Sequence, residues 1–436
     1  MNLLRTRPRA SGATLVPDRA NRERSRPHII GLDLIRVLII AFVVAVHTLA
    51  IGAGKVTLVL GTFIIVFHTS RELFFLLTTL VLTYHYGHRR QVRWLAFWRR
   101  RYSLVVPAYT AWSLIYFLAD GERLDPFSAA LIAFWHDLLT ADARYHLYFL
   151  LVTMQVYLAF PLLRWLLRKT SGHHLALFLA VCTYQLALTF AMSYPPVSDS
   201  RVEAWLHVAE PGSMLQSYLL YVIGGAIAGW HFDSLAAFTR RHASAASIGL
   251  VAGAGVCAGV GSYFTGVVAG GEDPGTASAV FQPAIVIETL AFAWALLAAG
   301  LLWADGEARH RRVIAAGGDC SFGIYLAHPL VLQGALLLAG ATGVLTAIRD
   351  APAVVELAAL LGAGVPLVYG VSWALVLFLR RAPLSLVLTG RQRLPTAGPR
   401  PSRPGTRRSR PWPAVGPGRA GRPRPGSRCI PRGRSR

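Results

Sequence analysis

The sequence predicts an all-α polytopic membrane protein with about ten transmembrane helices and both termini cytoplasmic. Three observations predict it. Of 436 residues, 54% are hydrophobic and only 15% are charged, with a mean hydropathy of +0.46. That is too little charge to coat a soluble protein of this length, and too much apolar content for a disordered one. The formal net charge of +23 is concentrated at the ends: residues 1–28 hold seven Arg against Asp18 and Glu23, and residues 382–436 hold fourteen Arg and no acid, leaving only +4 for the middle. A charge of this size otherwise points to a nucleic-acid partner, but here it brackets a nearly neutral apolar block, and no specific nucleic acid is expected. That block divides into runs of the roughly 20 apolar residues that a spanning helix needs.

In order, the runs are 31–51, 57–84, 103–119, 146–167, 173–191, 213–230, 244–265, 282–303, 319–340 and 353–379. The first follows a basic tail and is longer than a signal-peptide core, so it is expected to be retained. The second is long enough to tilt and the third is short. Between them, HRRQVRWLAFWRRR (88–101) interleaves Trp94, Phe97 and Trp98 with Arg, which suits a stretch lying at the membrane surface. Lys and Arg favour the cytoplasmic side. Arg22, Arg24 and Arg26, the 88–101 loop, Arg164/Arg168/Lys169, Arg240/Arg241, Arg309/Arg311/Arg312 and Arg380/Arg381 all fall on one side if the N-terminus is inside. The opposite loops carry acids instead: Asp120, Glu122, Asp125, Asp137 and Asp142, then Asp199, Glu203 and Glu210, then Glu272 and Asp273. The domain plan is a basic disordered tail (1–28), a ten-helix membrane domain (29–381) and a disordered cytoplasmic Arg/Pro/Gly-rich tail (382–436). Cys182, Cys257, Cys320 and Cys429 show no metal-ligand spacing, and no metal is expected.

Ionisable residues within spans need a reason to be there. Arg36 and His47 lie in the first run. Eleven residues separate them, about three turns, so both share one face about 16 Å apart. His47 is a candidate base toward the outer half, or a histidine that glues helices together. His68, Arg71 and Glu72 share one side of the second run, as an interhelical ion pair or as a patch for a polar substrate group. Arg99, Arg100 and Arg101 precede the third run, either as plain topological charge or as a phosphate clamp. His146, Gln155 and Tyr157 in 146–157, Tyr325 and His328 in SFGIYLAHP (321–329), and Glu288 in the eighth run complete the set. No G-x-S-x-G, H-E-x-x-H or Walker loop is present.

Five ordered segments carry a resemblance: LDLIRVLIIAFVVAVH (32–47), TSRELFFLL (69–77), FWRRRYSLVVPAY (97–109), YHLYFLLVTMQVYLAFPLL (145–163) and CSFGIYLAHPLVL (320–332). The chain resembles acyltransferase family 3, bacterial integral-membrane O-acyltransferases of the cytoplasmic membrane. The family's Arg-x10-His falls on Arg36 and His47, and its Arg-x-Arg on Arg99 and Arg101. The second-helix motif departs from the many members that carry Ser-Gly after the FF segment.

The resemblance implies transfer of an acyl group, acetyl being the expected one, from cytoplasmic acyl-CoA to a hydroxyl of a cell-surface glycan, lipid-linked sugar or related acceptor. His47 is then general base or transient acyl carrier. Arg36 supports it or holds donor phosphate, and Arg99 and Arg101 bind CoA phosphates. Arg71, Glu72, His146, Tyr325 and His328 are the expected substrate-binding residues. Some relatives carry a fused hydrolase-like domain; the tail here is too polar to fold, so transfer is expected to be completed by the membrane domain alone. Two other readings compete. A transporter or flippase of lipid-linked saccharides also fits ten helices with buried charge, though it does not require the Arg-to-His spacing. A membrane anchor with a polyanion-binding tail predicts that the tail is essential.

Overall fold

The computed structural model describes residues 26–119, 121, 126–193, 211–306 and 310–394. The expectations for residues 1–25 and 395–436, and for Asp120, Glu122, Asp125, Asp199, Glu203, Glu210 and Arg309, lie outside these. Among the described residues there is no strand. Nine helical segments are long and apolar enough to cross a membrane, and a tenth crossing results when Leu215–Trp230 and Phe232–His242, bent by 89°, count as one.

The helices are α1 (Gly31–Gly52), α2 (Leu58–His68), α3 (Ser70–Tyr86), α4 (Trp94–Ala119), α5 (Phe127–Thr140), α6 (Tyr148–Lys169), α7 (His174–Ser193), α8 (Leu219–Trp230), α9 (Phe232–His242), α10 (Ala245–Phe264), α11 (Pro283–Asp305), α12 (Arg311–Ala341), α13 (Ala353–Ala359) and α14 (Val365–Leu379). α2 and α3 form one span (Leu58–Tyr86), and α13 and α14 another (Ala353–Leu379). The α2–α3 break falls at Thr69, whose hydroxyl donates to the Val66 carbonyl three residues back (3.0 Å) and so competes with the helix ladder. The order of spans gives the bundle a basic end and an acidic end. The basic end carries Arg36, the 87–93 loop, Arg164, Arg168, Arg240 and Arg311. The acidic end carries Asp137, Asp142, Glu272 and Asp273.

Three elements differ from expectation. The third span starts at Trp94 rather than 103, because the Trp/Arg stretch winds into its first turns, so Arg99 and Arg101 lie within the helix and not before it. A segment expected as an acidic loop forms α5, which leaves Phe127, Ile132, Trp135 and Leu139 exposed. Residues 382–394 pack on the membrane unit, so the expected boundary after residue 381 moves to Leu394. Trp112 Nε1 donates to the Leu388 carbonyl (2.9 Å), Arg391 pairs with Asp319 (3.0 Å), and the Leu394 amide donates to the Arg380 carbonyl (2.9 Å).

Within lipid, helices associate through close packing and small residues rather than through hydrophobic gain. Gly225 and Gly229 set α8 directly on the Leu76 and Leu80 carbonyls of α3, and Gly31 of α1 meets Gly300 of α11 in the same way. Proline supplies the second device. Pro161 in α6 has no N–H for the carbonyl four residues back, and Trp98 Nε1 donates to that Tyr157 oxygen instead (2.9 Å).

Candidate active site

The same proline logic builds one wall of the site. Pro329 interrupts the ladder of α12 and frees the Tyr325 carbonyl. His328 Nδ1 occupies that oxygen at 2.7 Å. A carbonyl only accepts, so Nδ1 carries the proton and Nε2 is left with its lone pair. His328 is fully buried, and Nε2 has no hydrogen-bond partner among the described residues. The His47 ring stands 5.4 Å from the His328 ring, centroid to centroid, at 25° between planes. Tyr145 covers His47 from another side at 4.6 Å. No hydrogen bond ties either nitrogen of His47 to the described residues.

His146, in the turn before α6, stands 5.5 Å from His328. Neither of its buried ring nitrogens makes a well-formed hydrogen bond among the described residues, although the Leu326 carbonyl, which accepts from Tyr116 Oη (2.6 Å), lies close to the ring. Burial first, then His328, His47 and Arg144, hold His146 well below the ordinary imidazole pKa. Tyr325 Oη donates to the His146 backbone carbonyl and pins this turn to α12. Three histidines from three chain segments therefore converge, yet no group of His, Cys, Asp or Glu among the described residues is placed to hold a metal ion.

His47, His146 and Tyr325 line a cavity of about 570 Å³ toward the acidic end. The break at Thr69 turns His68, Ser70 and Arg71 toward the same space, and Tyr145, Tyr148, Phe149 and Phe281 supply aromatic walls. Arg71 is held tightly there. Its Nε and Nη2 both donate to Glu72 Oε1, and its guanidinium lies 5.0 Å from the Tyr218 ring and 4.6 Å from the Phe281 ring. The pair is thus neutralised internally, which suits a chamber for an uncharged, hydroxyl-bearing ligand better than one for a bare anion. His68 Nδ1 pairs with the Ser278 carbonyl at 2.9 Å.

The structure therefore brings His47, His146, Tyr325 and Arg71 to one cavity, with His328 and Glu72 directly behind it. It does not bring Arg36, Arg99 or Arg101 there. Arg36 lies three turns away at the basic end, paired with Asp33 (3.1 Å), which in turn meets His28 Nε2 (2.6 Å). Arg101 points into the bundle over Phe97 and Tyr157, at 5.8 and 5.6 Å, and its Nε is buried without a partner. Tyr157 stands within electrostatic reach of both Arg101 and Arg36. Arg99 is exposed on the other side of α4, since residues two apart on a helix do not share a face. Sequence reasoning missed Asp33, although an acid one turn before Arg36 was a usable signal. It also did not single out Tyr145 and Tyr148, although both stand in the 145–163 segment, nor Phe281, which lies in none of the quoted motifs. Glu288 is fully buried with both oxygens unpartnered, near Glu72 and outside the cavity.

Among the described residues, nine apolar crossings, or ten with the bent pair, hold a histidine-lined chamber toward one end and a cluster of arginines at the other, the frame of a multi-pass membrane protein. Residues 29–377 match the family model of acyltransferase family 3, described as an acyltransferase domain. The chain belongs to that family and is an acyltransferase. No curated protein and no solved structure matches it.

Proposed function

We propose that the protein moves an acyl group, acetyl first among them, from acyl-CoA at the basic, cytoplasmic end to a hydroxyl of a cell-surface glycan or lipid-linked sugar in the chamber. The membrane is then the bacterial cytoplasmic membrane. The observation that carries this reading is His47: an imidazole without a hydrogen bond among the described residues, facing a half-open cavity, three turns from Arg36 on the same helix. In this reading His47 is the general base. The acceptor oxygen attacks the thioester carbonyl carbon as His47 takes the hydroxyl proton. The C–S bond then breaks, and the proton passes to the leaving thiolate, giving one ester and one free thiol. Arg36, Arg99 and Arg101 hold donor phosphates at the basic end, with Arg36 kept in place by Asp33. His146, Tyr325 and the Arg71–Glu72 pair orient the acceptor, and His328 supports the His47 ring from behind. The aromatic walls suit the apolar faces of a sugar ring, and the hydroxyls meet the polar groups between them.

The test is acetyl transfer by purified protein in lipid nanodiscs supplied with labelled acetyl-CoA and a glycan-lipid extract. His47→Ala is expected to lower the rate by about 10²–10⁴-fold while the protein still inserts and binds donor. Wild-type turnover in that variant would sink the reading.

A further inference from the structure

A second cavity, about 670 Å³ in volume, opens at the basic end between the 87–93 loop and the first turns of α4. Four arginines line it, Arg89, Arg90, Arg93 and Arg100, and no acidic residue does. Among the described residues none of these four makes an ion pair with an acid. Its floor is aromatic: the Tyr86 and Phe97 rings meet edge to face at 5.3 Å, and Arg89 lies 4.8 Å over Tyr86.

The groove is built rather than incidental. Arg164 donates to the carbonyls of Tyr86 (3.2 Å), Gly87 (3.3 Å) and Arg89, and Arg168 adds a second bond to the Arg89 carbonyl (2.9 Å). His88 Nε2 meets the Trp230 carbonyl at 2.9 Å. Two cations from α6 and one ring contact to α8 thus fix a short loop in which Arg89 Nε donates to the His85 carbonyl (2.9 Å), while no carboxylate among the described residues pairs with Arg89, Arg90 or Arg93. Four like charges held around one space repel each other unless an anion fills it. Guanidinium forks match phosphate oxygens in pairs, and aromatic rings accept a flat or apolar neighbour. Phe97 is also the ring beneath Arg101, so the groove lies across a single side chain from the inward-pointing arginine.

We infer that this groove is a phosphoester-binding site, formed by Arg89, Arg90, Arg93 and Arg100 and separate from both Arg99 and the inward-pointing Arg101. Two sources offer that chemistry at a membrane surface: the phosphate-rich nucleotide end of the donor and the headgroup of an anionic phospholipid. Only the first source rests on the acyl-CoA reading.

The experiment compares wild-type protein, Arg90→Gln/Arg93→Gln and, as a control for charge loss at the same end, Arg311→Gln/Arg312→Gln. CoA affinity is measured by calorimetry in phosphatidylcholine nanodiscs, and retained anionic phospholipid by native mass spectrometry of detergent-purified protein. The groove variant is expected to weaken CoA about tenfold or more, with the control unchanged; this result assigns the groove to the donor. Loss of retained anionic lipid with unchanged CoA affinity assigns it to the headgroup. If neither changes relative to the control, the inference is overturned. If wild-type protein does not bind CoA at all, the acyl-CoA reading fails by itself, and the lipid arm still decides the groove.

Discussion

At His328, the Nδ1 proton is committed to the Tyr325 carbonyl only because Pro329 cannot use that oxygen. The His-Pro dipeptide was legible in the sequence, and with it the free carbonyl four residues before the proline. The partner was not, because His47, Tyr145 and His328 meet across separate segments and no local pattern encodes that meeting. Pro329→Ala restores a backbone donor for Tyr325 and releases His328 to rotate. The expected outcome is a fall of roughly tenfold or more in turnover, the order by which supporting shells tune a reactive group, with melting temperature unchanged or slightly raised. His328→Gln, which can still reach the carbonyl, should retain more activity than His328→Ala. Equal loss in the two would assign His328 to packing alone. Similarly, the Arg36-to-His47 interval was readable from helix geometry, and Asp33 could have been read beside it.

Among the described residues, apolar run length located the nine candidate crossings and the bent pair that would make a tenth, because lipid thickness fixes the number of residues needed. It gave the wrong start for the third span, since Trp and Arg lower mean hydropathy while still favouring helix in the headgroup layer. It passed over α5, whose Asp137 and flanking acids disguised an apolar surface. Helix contacts were legible only as small-residue spacing, with Gly225 and Gly229 four apart. A methyl group at Gly229 would strike the Leu80 backbone, which offers no soft side chain to yield. Gly229→Ala is therefore expected to destabilise the protein by about 1–3 kcal/mol, read as a lower melting temperature in detergent. Gly249→Ala, where a methyl meets open space, should be neutral or slightly stabilising.

For the molecule as a whole, the charge count put the start of the C-terminal tail after residue 381, whereas among the described residues the packed unit continues through Leu394. Removing 395–436 is expected to leave acetyl transfer intact. Removing 382–436 should reduce yield and melting temperature, because Trp112 Nε1 and Asp319 both lose their partners. Loss of activity on the shorter deletion would revive a role for the basic tail. The orientation proposed from Lys/Arg bias is checked by cysteine accessibility. Arg90→Cys should label only in inverted vesicles, and Glu272→Cys only in right-side-out ones; the reverse pattern would place the arginines outside. α5 bears on how an acceptor arrives. Its exposed Phe127, Ile132, Trp135 and Leu139 end two residues before Ala141, which lines the chamber together with Asp142. The apolar exposure of α5 suits a helix lying in the leaflet surface, and under the proposed function that position would hold the chamber's rim at headgroup depth. Under the proposed function, an acceptor tethered to a lipid would then reach the histidine by lateral diffusion within a sheet, a search in two dimensions. A soluble sugar of the same structure must find the same rim from bulk water in three.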